Sequence, residues 1–320
     1  MSLAFSKAVD AQEATIVTDS EGNAFELHSR NCATCGAEAK RVLGLRGGEY
    51  QRYGQGIVSR IVQCHQCGLI YPNPFPIPLD PQKLYGDPDK YFGDKTPETK
   101  LANGRRLVRE MAERFGKTEF SLLDIGAGRG ELLEAARLEG IRAVGLETSE
   151  AMVREGRERW GVEIHRQTVE AFAEARDDVF DVVSLCAVLE HAHDPDSMIA
   201  MVGRLTHPGS LVYIDVPREP NLMTIVGNAG NRLLRSPAVY NLQPTWAPYH
   251  VFGFNPRSLE RLLEKHGFTL ESMLIHAEPH IPWKAGWKDR ARAFIATQVN
   301  RIANVTGLAA NMYAWGRRGE

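Results

Sequence analysis

From Phe120 onward, short apolar runs alternate with longer stretches of mixed polarity. "FSLLDI", "RAVGLE", "VEIH", "VFDVVSLC" and "SLVYIDV" have the length and continuity of buried strands, while "ELLEAARLEG" and "SEAMVREGRERWG" space their apolar residues as helices do. Pro195 opens a further helix. Strand, glycine turn and helix recur in that order, which predicts an α/β domain built on a doubly wound, mostly parallel sheet. Ahead of Phe120 the runs are shorter. "RVLGL" and "GIVSRIVQ" predict a hairpin turning through "RGGEYQRYGQ", and "YPNPFPIPLDP", with its five prolines, predicts an extended linker. The expected division is a tail over 1–24, a small cysteine-bearing domain with its linker over 25–80, a helical lead-in over 81–119, and the main domain over 120–320. Within the last, 217–254 is an insertion rich in Asn, Pro and aromatics, expected to act as a lid over substrate.

Composition narrows the function classes. Lys and Arg number 38 against 40 Asp and Glu, for a net charge of −2 over 320 residues and a pI near 6.6. The overall basic excess of a general nucleic-acid binder is missing. No run approaches the roughly 20 apolar residues of a membrane span, and Lys7, Asp10 and Glu13 interrupt the amino terminus where a signal peptide would be apolar. The expected compartment is the cytoplasm, where cysteine pairs more often hold metal than form disulfides.

Four of the five cysteines form two Cys-x-x-Cys pairs, Cys32 with Cys35 and Cys64 with Cys67, followed by Gly36 and Gly68. The spacing predicts a zinc ribbon, in which four thiolates close the metal's shell and leave the zinc structural. His65, inside the second pair, is expected at the surface.

The turn after the first strand of the main domain reads Asp124-x-Gly126-x-Gly128-x-Gly130, with Glu131 where a dinucleotide fingerprint would place its last glycine. Asp124 would repel a pyrophosphate yet suits a ligand carrying an ammonium group. Glu147, ending the second strand, stands where a carboxylate accepts ribose hydroxyls. Together these favour S-adenosyl-L-methionine.

With these motifs the chain resembles the class I S-adenosylmethionine-dependent methyltransferases over roughly 120–318. "LLDIGAGRG" looks like their first motif, "VGLETS" their acidic second-strand motif, "VLEHAHDP" their fourth-strand motif and "LTHPGSLVYIDVP" their fifth-strand segment; "HGFTLESMLIHA" and "NMYAWGRR" resemble the last two strands. The segments "CHQCGLIYPNPFPIP" and "LYGDPDKYFG" further resemble a subgroup with a zinc ribbon in front, many of whose members act on saccharides or other small molecules. The resemblance implies cofactor contacts from Asp124, Gly126, Gly128, Gly130 and Glu147, with backbone near Thr168 and Val169 beside the adenine. Cys186 would lie near the methionine moiety; the plainer reading is a small buried hydrophobe.

Glu190, His191 and His193 follow the fourth strand, at the edge where open α/β sheets bind ligands. His191 is a candidate general base for a hydroxyl acceptor or a support for its loop, whereas His193 suits solvent or helix capping. His250, among Trp246, Tyr249 and Phe252 in the insertion, occupies a position that carries a histidine in similar methyltransferases. Ubiquinone-pathway and small-RNA methyltransferases resemble the chain here with Glu-x-x-Glu-His, which can bind a divalent metal. Ala187 stands at the first Glu, so a histidine base is preferred to a catalytic metal.

The expected acceptor is a sugar, glycoconjugate or other small-molecule hydroxyl. RNA is the rival, with Arg30, Lys40, Arg41, Arg46, Arg52 and Arg60 near the cysteines and Tyr50 and Tyr53 available to stack. A non-catalytic cofactor-binding protein is the third reading. Over 288–305 a basic segment carries Phe294, Ile295, Val299 and Ile302 on one face: either a peripheral membrane contact or, more plainly, a helix docking that face on the sheet.

Overall fold

A computed structural model describes residues 15–81, 83, 97–278 and 287–320. They form two compact units. One takes the chain to Leu79 with Val216–Arg261 and Met273–Tyr313; the other takes Asp80–Asp215, Leu262–Ser272 and Ala314–Glu320.

The second unit is built on a seven-stranded sheet of β7 (Ser121–Ile125), β8 (Arg142–Glu147), β9 (Ile164–Arg166), β10 (Phe180–Cys186), β11 (Thr206–Pro217), β12 (Phe268–His276) and β13 (Asn311–Arg318). Their order is β12-β13-β11-β10-β7-β8-β9, and the pairs from β11 to β9 are all parallel. Chain order reverses between β7 and β10, the switch point where such sheets open a ligand crevice. Leu122, Leu123, Val182, Val183 and Leu185 are fully buried, as in a parallel sheet covered on both faces. The helices of this unit are α1 (Pro97–Phe115), α2 (Glu131–Leu138), α3 (Glu150–Trp160), α4 (Val169–Ala175) and α5 (Pro195–Arg204). α1 falls in the expected lead-in, of which residues 82 and 84–96 lie outside the described residues. Ser149 caps α3, and Asp194 caps α5 ahead of Pro195.

The first unit holds two three-stranded sheets, β1 (Thr15–Thr18)-β2 (Ala24–His28)-β6 (Phe75–Pro78) and β3 (Lys40–Arg46)-β4 (Ser59–Cys64)-β5 (Ile70–Pro72). The hairpin expected between the cysteine pairs is β3 and β4, antiparallel. Two expectations need correction. Part of the expected tail is β1; residues 1–14 lie outside the described residues. The expected linker supplies β5 and β6, because proline is tolerated on edge strands and Tyr71 and Phe75 fill the core with at most 1% of their surface exposed.

The insertion packs within the first unit. It begins with α6 (Leu222–Leu233) and then runs along the first unit's strands. Leu45 donates to the Pro237 carbonyl at 2.8 Å, Val239 to that of Leu45 at 2.9 Å, and Ile70 and Gly253 exchange both backbone bonds. Val239 and Leu242 join Ile61 and Ile70 in one apolar cluster, and Phe252 stacks on Phe75 at 5.2 Å. Gly56, at φ 69°, is required here: a β-carbon would lie 2.7 Å from the Trp246 ring.

α7 (Pro256–Lys265) and α8 (Trp287–Thr306) complete the helices described. α8 reverses the expected docking. It buries Ala293, Thr297 and Ala303 while Phe294, Ile295 and Ile302 are exposed, since the small residues allow close packing and the large ones stand opposite. Among the described residues no helix is long and apolar enough to cross a membrane.

Candidate active site

Parallel strands deliver their following turns to one edge of the sheet, and in the second unit that edge collects acids. Asp124, on β7, is buried and accepts a 2.7 Å bond from the Ser184 hydroxyl of β10. Burial above all, with Glu131 and Glu147 adding negative charge, pushes its carboxyl up to about 7 against the hydrogen bond's pull. The turn that follows is left-handed at Gly126, Gly128 and Gly130, with φ of 72°, 55° and 78°. A β-carbon on Gly126 would meet Val188 at 2.5 Å, so the glycine lets the fourth-strand loop close over the turn. Gly130 leads into α2, whose first turn carries the buried acids Glu131 and Glu134. Carboxylates there oppose a phosphate ligand.

Glu147 ends β8 and is fixed by three backbone donors: Gly128 to Oε2 at 3.0 Å, and Thr148 and Ser149 to Oε1 at 2.7 and 2.8 Å. With about two lone pairs per carboxylate oxygen, Oε2 keeps one for a ligand hydroxyl. Thr168 caps α4, and Val169 behind it is buried. Cys186 ends β10 in register with Asp215 of β11, and burial, then Asp124 and Asp215, pushes its thiol well up, which makes it a neutral wall. Ser184 and Asp215 escaped the sequence reading. Each is a polar residue within a largely apolar run, and only sheet register shows its neighbours, Asp124 beside Ser184 and Cys186 beside Asp215.

After Cys186 the chain turns at Ala187, left-handed at φ 56°, into a short 3₁₀ segment, Leu189–His191. Glu190 is fully buried and neither carboxyl oxygen has a hydrogen-bond partner; His191 Nε2 lies 3.8 Å from Oε1. Burial, with the Asp215 charge adding to it, pushes Glu190 up to about 8, so it is largely neutral at pH 7. His193 is exposed, and the helix cap is Asp194.

His250 belongs to the first unit. Its carbonyl accepts from Gln243, and burial pushes its imidazole down to about 4, keeping it neutral. The four cysteines gather in the same unit, every sulfur within 4.8 Å of the others, with Cys32–Cys67 at 3.4 Å and Cys35–Cys64 at 3.5 Å. Disulfides would need about 2.05 Å. A tetrahedron with Zn–S near 2.3 Å has edges of about 3.8 Å, close to what is found. Both knuckles turn alike: Gly36 donates to the Cys32 carbonyl and Gly68 to that of Cys64, at φ 71° and 78°. His65 is exposed.

Residues 98–273, more than half the chain, match a family model described as a methyltransferase domain. The chain belongs to this methyltransferase family. Among its relatives is a ubiquinone biosynthesis O-methyltransferase of Sodalis glossinidius (strain morsitans), 39% identical over 121 residues that make up 35% of this chain and 47% of that protein. Another of the same name, from Hahella chejuensis, is 37% identical over 33% of this chain and 48% of its own. The methyltransferase thus spans about half the length of these curated relatives. Its fold is shared with a SAM-dependent methyltransferase from Archaeoglobus fulgidus at TM-score 0.50 and 18% identity, covering 72% of this chain and 97% of that one.

Glu190 generates a prediction on pH. Its folded value near 8 stands above the ordinary 4.5, so the stability of its neutral form is complete below 4.5 and lost as pH rises through 8. Glu190→Gln is neutral throughout and should match the wild type in urea unfolding at low pH. At about pH 9 it should be the more stable protein by some kcal/mol, each pKa unit carrying about 1.4 kcal/mol. A gap that stays constant with pH would mean that Glu190 is not buried in the form described.

Proposed function

We propose that this methyltransferase transfers the sulfonium methyl of S-adenosyl-L-methionine to a hydroxyl of a small molecule, with His191 accepting the proton. The observation that carries the reading is the crowd of acids at the strand ends, Asp124, Glu147, Glu190 and Asp215, in the unit that bears the glycine turn. Their charges oppose one another, so a sulfonium and an ammonium group gain what a phosphate would lose. Asp124 and the Gly126–Gly130 turn would hold the methionine end, Glu147 a ribose hydroxyl, and the backbone at Thr168 and Val169 the adenine. When bound there, the cofactor would supply an electrophilic methyl to the acceptor oxygen and would leave as S-adenosylhomocysteine. The acceptor's proton passes to His191, whose ring lies 3.8 Å from a Glu190 oxygen. His250, neutral and held near 4 by burial, is a weak base.

For the acceptor, the relatives' name supports O-methylation, and the ribbon-first resemblance favours a sugar or glycoconjugate hydroxyl. The RNA reading is the less favoured, because several of its arginines also bond within the first unit. Arg41 is bound to Gln63, Arg60 to the Asn73 carbonyl and Arg46 to that of Leu242, while Arg30 covers Phe75. The four cysteines would hold one structural zinc.

Three outcomes test this. Glu147→Ala should weaken S-adenosylmethionine binding at least about tenfold in calorimetry, a charge-assisted bond carrying about 1.5–3 kcal/mol; unchanged affinity removes the assignment. With labelled cofactor and a panel of sugars and phenols, His191→Ala should bind cofactor normally yet turn over about 100- to 10,000-fold more slowly, and the wild-type rate should fall as acid protonates the imidazole. Near-native turnover in both His191→Ala and His250→Ala sinks the histidine base, and recovery of a chelated enzyme by magnesium assigns Glu190 and its neighbours to a metal instead. Finally, Cys32→Ser with Cys35→Ser should lose one zinc per chain and destabilise the first unit, whereas zinc-free reduced wild type on elemental analysis ends the ribbon claim.

A further inference from the structure

α6 is amphipathic in the wrong sense for a helix meeting water. Its polar side chains turn inward: Asn228 donates to the Asn241 side chain at 2.7 Å, Asn231 to the Ala238 carbonyl at 2.8 Å, and Thr224 is buried in a capping box with Asn221. Its large apolar side chains turn outward. Met223, Val226 and Leu233 lie at helical spacing, and Leu233 is 85% exposed, with Leu234 beside it at 78%. A chain that merely needed a soluble helix would gain by the opposite arrangement.

α8 repeats the feature in the same unit. Its small residues are buried, while Phe294, Ile295, Ile302 and Val305 face out, Val305 at 90% exposure. The two helices are neighbours: Leu222, which opens α6, packs against the cluster of Ala277, Ala303 and Ala309, and donates its N–H to the Leu308 carbonyl at 2.9 Å.

Along α6 and the segment after it the charge has one sign. From Pro220 to Leu259 the sequence holds no Asp or Glu, although the whole protein is net negative. Arg232 and Arg235 flank Leu233 and Leu234, all four exposed, and Arg301 is exposed next to Ile302. Protruding apolar side chains flanked by arginine, with no acid on α6, are what an interfacial helix offers to lipid: the apolar groups enter the acyl boundary and the cations meet anionic headgroups.

We propose that α6 and α8 dock the protein on the surface of an anionic lipid bilayer. The inference stands on the first unit alone, independent of the catalytic reading. It also gives 288–305, singled out in the sequence, a partner in α6, which was not.

The test is flotation of the full zinc-loaded chain with phosphatidylcholine vesicles, with and without phosphatidylglycerol. Binding is expected only with phosphatidylglycerol and should weaken as salt is raised. Arg232→Glu with Arg235→Glu should lower it about tenfold or more, an arginine near such a surface contributing about 1 kcal/mol. Leu233→Ser with Leu234→Ser should lower it as well, with circular dichroism and zinc content unchanged in both variants. The arginine pair, being exposed, keeps the test decisive if the leucine variant misfolds. Absence of binding to phosphatidylglycerol vesicles, equal binding to neutral ones, or full retention by the arginine variant overturns the proposal. So does light scattering that finds a stable dimer, dissociated by the leucine variant and indifferent to lipid, which would make a second copy of the chain the occupant.

Discussion

Carboxyl groups gathered at the ends of parallel strands, two of them buried, set the terms for the second unit. A parallel sheet sends every strand-to-helix turn to one edge, so Asp124, Glu147, Glu190 and Asp215 converge there although they are far apart in the chain. Desolvation and mutual repulsion then work together. Asp124 and Glu190 are held at about 7 and 8, so at neutral pH the edge carries less charge than its residues could supply. That reserve of ionisable groups distinguishes the site from a phosphate cradle built on the same turn. A cation arriving there can draw the acids into their charged form, so binding strength and proton release are linked.

The first unit solves a different problem. Two small sheets offer too little apolar area to stand alone, and small domains generally need a metal or another staple. Here the staples are two. The cysteine cluster would fasten the hairpin ends once it holds a metal, and residues 237–254 bring Val239, Leu242, Phe252 and Phe254 into the core. Arg46 shows how the parts interlock: it leaves a ribbon strand, lies over the rings of Tyr240 and Trp246, and donates to the Leu242 carbonyl. One of the arginines counted toward a nucleic-acid patch is thereby used within the unit.

Much of this was legible beforehand, for identifiable reasons. The parallel sheet announces itself because its strands are apolar throughout and its helices have their own period; the cysteine pairs and the glycine turn have spacings that few other structures require. What escaped the sequence depends on contacts between distant segments. Prolines at 72, 74, 76 and 78 argue for a linker unless the strand is known to lie on an edge. Ser184 and Asp215 are polar letters in largely apolar runs, given meaning only by register with Asp124 and Cys186. The outward face of α8 was misjudged because periodicity shows that a stripe exists and not which way it turns; the stripe of small residues opposite it, Ala293, Thr297 and Ala303, was the signal available.

The bond from Arg46 to the Leu242 carbonyl joins residues 196 apart in the chain. A ribosome adding roughly 5–20 residues per second needs about 10–40 s to cover that distance. During that interval the newly made β3 lacks the segment that pairs with Leu45, and a bare strand edge invites association with other chains. The cysteine pairs, complete by residue 67, are the one fastening present from the start. A metal taken up at that stage would hold the hairpin closed while the catalytic half is still being synthesised, so zinc supply would bear on how much chain matures rather than on how fast the mature protein works.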